Sequence, residues 1–138
     1  MTTPAKDAKL IKTASDAARR FVESYYPALN DNRSSLDTYY YPDAAITWNG
    51  NAILGGGNFA TFFATMPTSH YDVQSFDAHP VAVDAMGNCS VMLNVSGSVK
   101  YGESKEMRGF GETVILRPEE GNPTKFKISA QGFRLVSG

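Results

Sequence analysis

Hydrophobic and polar positions follow two periods along this chain, and the change from one to the other falls at Pro67. Before it, apolar residues recur at steps of three or four. Leu10, Ala14, Ala17, Phe21, Tyr25 and Leu29 form one row, and Ile11, Ala18, Val22 and Tyr26 form an adjoining one. A stripe of that width predicts a helix of roughly five to six turns that buries one face. Thr3 and Pro4 suit its N-cap and first position, since a proline there gives up no intrahelical bond. Lys9, Lys12, Asp16, Arg19, Arg20 and Glu23 fall on the solvated side. Asn30-Asp31-Asn32 ends the helix. Ser34 or Ser35 then caps a short one through Leu36, Tyr39 and Tyr40, stopped by Pro42.

Asn49-Gly50 separates two short apolar runs, Ala44 to Trp48 and Ala52 to Leu54. This predicts a β-hairpin, because a type I′ turn needs positive φ at both central residues and Asn-Gly tolerates it. Gly55-Gly56-Gly57 follows. Asn58 then caps a third short helix carrying Phe59, Phe62, Phe63 and Met66 as far as Pro67.

Beyond Pro67 the period becomes two. Tyr71, Val73 and Ser75 alternate with Asp72, Gln74 and Phe76, and Pro80 marks an edge or a bulge. Val91, Leu93, Val95, Gly97, Val99 and Tyr101 share one face of a long strand, and Met92, Asn94, Ser96, Ser98 and Lys100 share the other. After a turn at Gly102-Glu103-Ser104, Phe110, Glu112, Val114 and Leu116 alternate with Gly111, Thr113 and Ile115. A polar loop from Pro118 to Pro123 leads to Phe126, Ile128 and Ala130, and the last strand reads Gln131-Gly132-Phe133-Arg134-Leu135-Val136. Helices followed by strands with short turns predict an α+β fold, with helices on one face of a curved sheet. Residues 1–138 read as one domain without repeats or linkers.

The uncovered sheet face is mixed: Met92 and Asn94, small Ser96 and Ser98, and Phe133 and Leu135 near the end. Either a second sheet packs there or it is an ordinary half-exposed face, and the sequence leaves both open.

Charge narrows the possible partners. Thirteen basic residues against 14 acidic ones leave a net charge of −1, which disfavours autonomous tight nucleic-acid binding. With 42% hydrophobic and 20% charged residues, the composition is that of a soluble domain, with no segment of membrane-spanning length and no apolar leader in Met1 to Asp7. The lone Cys89 has no partner for an intrachain disulfide and no metal-ligand spacing with His70 or His79, and it fits a reducing compartment.

Candidate chemistry is thin. Tyr39-Tyr40-Tyr41, Asp43, His70 and His79 are the groups available for proton transfer, yet each also fits a plain structural role. Trp48 reads as a core residue whose indole N–H is satisfied locally. No phosphate loop, nucleophile elbow or metal pair is present.

The order of elements resembles the nuclear transport factor 2-like family. Its most specific motifs here are Trp48-Asn49-Gly50-Asn51-Ala52, Phe62-Phe63 with Met66-Pro67-Thr68-Ser69, Gly97-Ser98-Val99-Lys100 and Phe133-Arg134. Within that family the chain looks like the small subunit of the heterodimeric nuclear mRNA export receptor, and the resemblance spans nearly its whole length. The resemblance implies a cone of three helices packed on a strongly curved, mostly antiparallel sheet. It also implies a binding subunit without cofactor, metal or small-molecule substrate. In that subunit the sheet face packs on the nuclear transport factor 2-like domain of the large receptor chain, and the arginine matching Arg134 pairs with an acidic residue of that chain. Phe133, Arg134, Leu135, Met92, Asn94 and Ser96 are therefore the expected partner-binding residues. A bulge at Gly132 would let Phe133, Arg134 and Leu135 all reach the interface. Through the complex the resemblance implies contact with Phe-Gly nucleoporins, indirect carriage of mRNA, and residence in nucleus, cytoplasm and nuclear pore complex.

Two other readings share the fold. Nuclear transport factor 2 itself, the homodimeric carrier of Ran-GDP, has an acidic residue where this chain has Asn49 and aspartates where it has Gly102 and Ser104. Neutral residues there remove charge-assisted bonds, although Glu103 remains. Isomerases and dehydratases with this cone place an Asp or His base at its open end. Asp43, His70 or His79 would then have to converge with Tyr39 or Tyr40.

Overall fold

The computed structural model describes residues 4–136, so the Thr3 cap lies outside the described residues. Helix α1 spans Pro4–Asp31; a 3-10 helix covers Arg33–Tyr39; strands β1 and β2 cover Tyr40–Trp48 and Asn51–Leu54; helix α2 covers Gly56–Ala64. Strands β3 to β6 follow at Ser69–Val81, Ser90–Tyr101, Arg108–Glu119 and Asn122–Val136. They form one open six-stranded sheet in the order β2-β1-β6-β5-β4-β3. Every pairing is antiparallel except β1 with β6. The α+β cone with helices on one sheet face is thus the observed architecture.

Helix α1 has 28 residues and runs further than the stripe suggested. It continues through Pro27, whose missing N–H would have bonded the Glu23 carbonyl; both residues are exposed. The buried sector rotates along the helix, from Leu10, Ala14 and Ala17 to Tyr25, Tyr26 and Leu29. Ile11 lies on the later side of that sector, where the first turns have nothing to cover, and it is 54% exposed.

The hairpin forms as expected, with Asn49 at φ 50° and Gly50 at φ 85°. Three boundaries differ. Tyr40 is extended and opens β1, and Pro42 sits in that strand where pairing with β6 lapses between Tyr40 and Ala45. Gly55, not Asn58, caps α2: it takes φ 87°, and a Cβ there would come within 2.5 Å of the Pro42 carbonyl oxygen. Asn58 instead donates back to the Leu54 carbonyl at 2.7 Å. The expected loop at 118–123 is a tight turn, since Gly121 accepts φ 79° and Glu119 already pairs with Asn122. Strand β3 is an edge, as Pro80 indicated, with a bulge between Val73 and Ser75.

Between helices and sheet lies an aromatic core. Trp48 stacks on Phe133 at 3.9 Å and lies near Phe59 and Phe63, while Phe110 continues the stack on the other side of Phe133. The indole N–H of Trp48, expected to be satisfied locally, has no hydrogen-bond partner among the described residues. Arg33 ties the helix ends to β3. Its guanidinium donates to the carbonyls of Leu29, Phe63, Met66 and Pro67 and to the Ser69 hydroxyl, and it lies over the Phe63 ring.

Candidate partner interface

Strand pairing sorts the outward side chains of the sheet into rows. Ala45, Ala130, Ile115, Met92 and His79 form the first, and Thr47, Gly132, Thr113, Asn94 and Asp77 the second. Arg134, Gly111, Ser96 and Ser75 form the third, and Val136, Gly109, Ser98 and Asp72 the fourth. The face grades from a half-buried apolar end at Met92 and Ile115 to a polar, small-residue centre that is largely exposed. Hydrogen bonds run across that centre: Thr113 donates to the Asn94 side-chain oxygen at 2.8 Å, and the Ser75 and Ser96 hydroxyls meet at 2.8 Å. A shallow trough of about 530 Å³ lies over Gly111 and Gly132, rimmed by Thr47, Asn94, Thr113, Arg134 and Val136.

Of the expected partner-binding residues, Met92, Asn94, Ser96 and Arg134 share this face. Phe133 and Leu135 do not. The register runs unbroken from Gly109 opposite Val136 to Ile115 opposite Ala130, so Gly132 forms no bulge; the shift comes at Ser129. Strand alternation then turns Phe133 inward, where it is 2% exposed against Trp48, and Leu135 packs half-buried at the core's margin. Their expected place in the interface is corrected on that ground. Arg134 alone of the three projects outward, and it enters none of the ion pairs among the described residues.

Gly111 and Thr113 belong to the face although sequence reasoning did not single them out, and Gly132, expected as a bulge, joins them as a regular strand position. The available signal was two glycines inside strands, where glycine weakens the element unless something approaches closely.

The groups named for proton transfer are scattered. Asp43, His70 and His79 are exposed, and the two histidines stand nine positions apart on β3, ~30 Å along the strand. Tyr39 bonds the exposed Ser24 hydroxyl. The cone interior holds a different cluster, of which sequence reasoning named only Tyr40: Glu112 with Tyr25, Tyr26, Tyr40 and Gln131. Tyr26 donates to one Glu112 oxygen, and the Gln131 amide donates to the other at 2.6 Å. Tyr40 donates to the Gln131 carbonyl oxygen at 2.7 Å, and the Gln131 amide reaches the Tyr25 hydroxyl at 3.0 Å. Tyr25 and Tyr40 close the ring at 2.6 Å. Burial raises the Glu112 carboxyl to about 7, against the opposing pull of the Tyr26 and Gln131 bonds. Burial first, and then the Glu112 charge, raises the Tyr25 and Tyr26 phenols, so both remain donors. The cluster links α1 to β1, β5 and β6 and encloses its carboxyl completely. Its sequence signal was one glutamate in the apolar row Phe110, Glu112, Val114, Leu116.

Asn49 also has a local task. Its backbone N–H donates to the Phe133 carbonyl at 2.9 Å, and its side-chain oxygen accepts the Leu135 N–H at 2.8 Å. The turn at Gly102 to Ser104 is exposed. Among the described residues no group of His, Cys, Asp and Glu is placed to hold a metal, and no helix is long and apolar enough to cross a membrane.

A helix-backed cone with an uncovered sheet face defines a fold class, and the comparisons place the chain within it. Residues 17–135 match the Nuclear transport factor 2 (NTF2) domain, and the chain belongs to that family. It is 32% identical over 122 residues to an NTF2-related export protein of Caenorhabditis elegans, covering 86% of this chain and 85% of that one. To NTF2-related export protein 2 of Homo sapiens it is 32% identical over 127 residues, covering 91% and 89%. Among solved structures it superposes on Ntf2 of Cryptosporidium parvum with TM-score 0.77 at 21% identity, over 90% and 95% of the two chains. It superposes on a chain of the Candida albicans Mtr2–Mex67 M domain complex with TM-score 0.70 at 14% identity, over 91% and 97%. A putative scytalone dehydratase from Novosphingobium aromaticivorans gives TM-score 0.72 at 12%, over 95% and 88%. At such identities the structural likeness speaks for the fold alone.

Proposed function

We propose that this chain is the non-enzymatic small subunit of a nuclear mRNA export receptor. It docks its open sheet face on the nuclear transport factor 2-like domain of the large receptor chain. The observation that carries the reading is the uncovered face itself, with Arg134 projecting from it beside a trough and entering no ion pair among the described residues. The export-protein names of its relatives support the same role. Two such sheets would bury an interface of standard size, on the order of 1,600 Å² in total. Arg134 contributes register and partner choice more than raw affinity. In the assembled receptor, Phe-Gly nucleoporins and mRNA are engaged by the complex, and the subunit resides in the nucleus, the cytoplasm and the nuclear pore complex.

Co-expression with the large chain's nuclear transport factor 2-like domain tests this directly. A 1:1 complex of sub-micromolar affinity is expected. A tight homodimer that ignores the domain would refute it.

The likeness to Ntf2 itself keeps a Ran-GDP carrier as the second reading. Asn49 weighs against it, since its side-chain oxygen is already occupied by the Leu135 N–H and carries no charge for a basic partner. Micromolar binding in a titration with Ran-GDP would decide for the carrier. The dehydratase-like reading loses its proposed base, because Asp43, His70 and His79 lie outside the cone and the enclosed Glu112 is packed by its own partners.

A further inference from the structure

Nothing among the described residues requires Gly111 or Gly132 to be glycine. Neither takes a positive φ, and a Cβ built on either meets nothing within 4 Å. Gly97, on the covered side of β4, is the opposite case: a Cβ there would sit 2.1 Å from the Asp72 carbonyl oxygen. A glycine inside a strand has more backbone freedom to lose and no side chain to pack. Two unforced ones on adjacent strands therefore point outward, to something that needs the bare backbone. Together they floor the trough of about 530 Å³ in the small-residue centre of the face.

Charge gives a second, independent indication. Asp72 and Asp77, the carboxylates in the four rows, lie on β3, three strands away from β6 and ~14 Å from Arg134. The cation at the rim of the trough is therefore left without an opposite charge among the described residues.

We propose that the trough is a socket for one aromatic side chain projecting from the partner's sheet, beside the acidic residue that the family resemblance already sets against Arg134. The inference rests on the functional reading above and adds to it the chemistry of the partner's face. A wide, shallow floor of peptide planes, edged by Thr47, Thr113 and Val136, fits a flat ring. Aromatic anchors seated in desolvated pockets are where interface energy concentrates. An isolated arginine on a face of a chain with net charge −1 suits a protein carboxylate rather than a phosphate backbone.

Gly111→Val and Gly132→Val fill the socket from below. Because the space is open and β-branched residues favour strands, the free subunit's thermal midpoint is expected to hold or rise. Affinity for the large chain's nuclear transport factor 2-like domain, measured by calorimetry with the full-length subunit, is expected to fall tenfold or more. Gly111→Ala and Gly132→Ala should lose less in the same order. Valine variants that melt like the wild type and bind like it would overturn the socket. Should a valine variant fail to fold, the alanine pair decides, and unchanged affinity there overturns the socket too. A wild-type subunit that does not bind the domain removes the functional reading and the socket with it. Intact wild-type binding with insensitive variants removes the socket alone.

Discussion

Gly111 is the register partner of Arg134 across the β5–β6 ladder, so the strand beside the arginine offers no side chain to crowd or pair it. In the free subunit the guanidinium is exposed to water. Arg134→Ala should therefore leave the thermal midpoint nearly unchanged. If its counterpart in the complex is a desolvated carboxylate, the same substitution should cost roughly 2–5 kcal/mol of binding, largely because that charge is left unpaired. Arg134→Glu should be worse, since two carboxylates then face each other. Calorimetry beside melts of the free subunit separates the two effects, and unchanged affinity for Arg134→Glu would show a merely solvated residue.

One position earlier the expectation inverts. Phe133 is stacked between Trp48 and Phe110, so Phe133→Ala opens a cavity in the core. A loss of about 3–5 kcal/mol in denaturant unfolding is expected. Binding should weaken only through the unfolded fraction.

Glu112 gives the protein a pH dependence of known sign. Its carboxyl titrates near 7 when folded and near the ordinary 4.5 when unfolded, so the folded state binds the extra proton between those values. Its stability contribution is complete below about 4.5 and is lost as the pH rises through about 7. A shift of that size corresponds to about 3 kcal/mol. Urea unfolding at pH 5 and pH 8 should show the wild type weakening relative to Glu112→Gln, which lacks the titrating proton. Parallel pH profiles for the two proteins would refute the assignment.

Arg33 serves four carbonyls through one planar guanidinium. Arg33→Lys keeps the charge but not the fork, so it should recover little of what Arg33→Ala loses. A loss on the order of 3 kcal/mol is expected for alanine, from several charge-assisted bonds removed at once. Chemical denaturation of both variants checks the ranking, and full rescue by lysine would show that charge alone matters there.

Much of this architecture was readable where local rules act strongly. Asn49-Gly50 dictated its hairpin, and the row Val91 to Val99 named the covered side of β4. What stayed hidden depends on distance in sequence. The parallel pairing of β1 with β6 brings Trp48 to Phe133, and no periodicity announces it. Phe133 was legible as apolar but not as inward, because the bulge that sets its side lies at Ser129 and not at Gly132. Glu112 kept the strand's alternation while breaking its polarity, and only Tyr26 and Gln131, distant along the chain, make that tolerable. The glycines of the outer face look like ordinary weak strand positions until their surroundings prove empty.

The strand order also constrains how the chain is made. Strand β6, the last in sequence, lies between β1 and β5, so the first hairpin joins the rest of the sheet only through it. During synthesis the β1–β2 pair and the β3–β5 meander emerge as two half-sheets with facing unsatisfied edges. Until β6 clears the ribosome, each edge is open to mispairing with another chain. Closing the seam requires contacts such as Trp48 with Phe133, about 85 positions apart, and pairing over that separation slows folding.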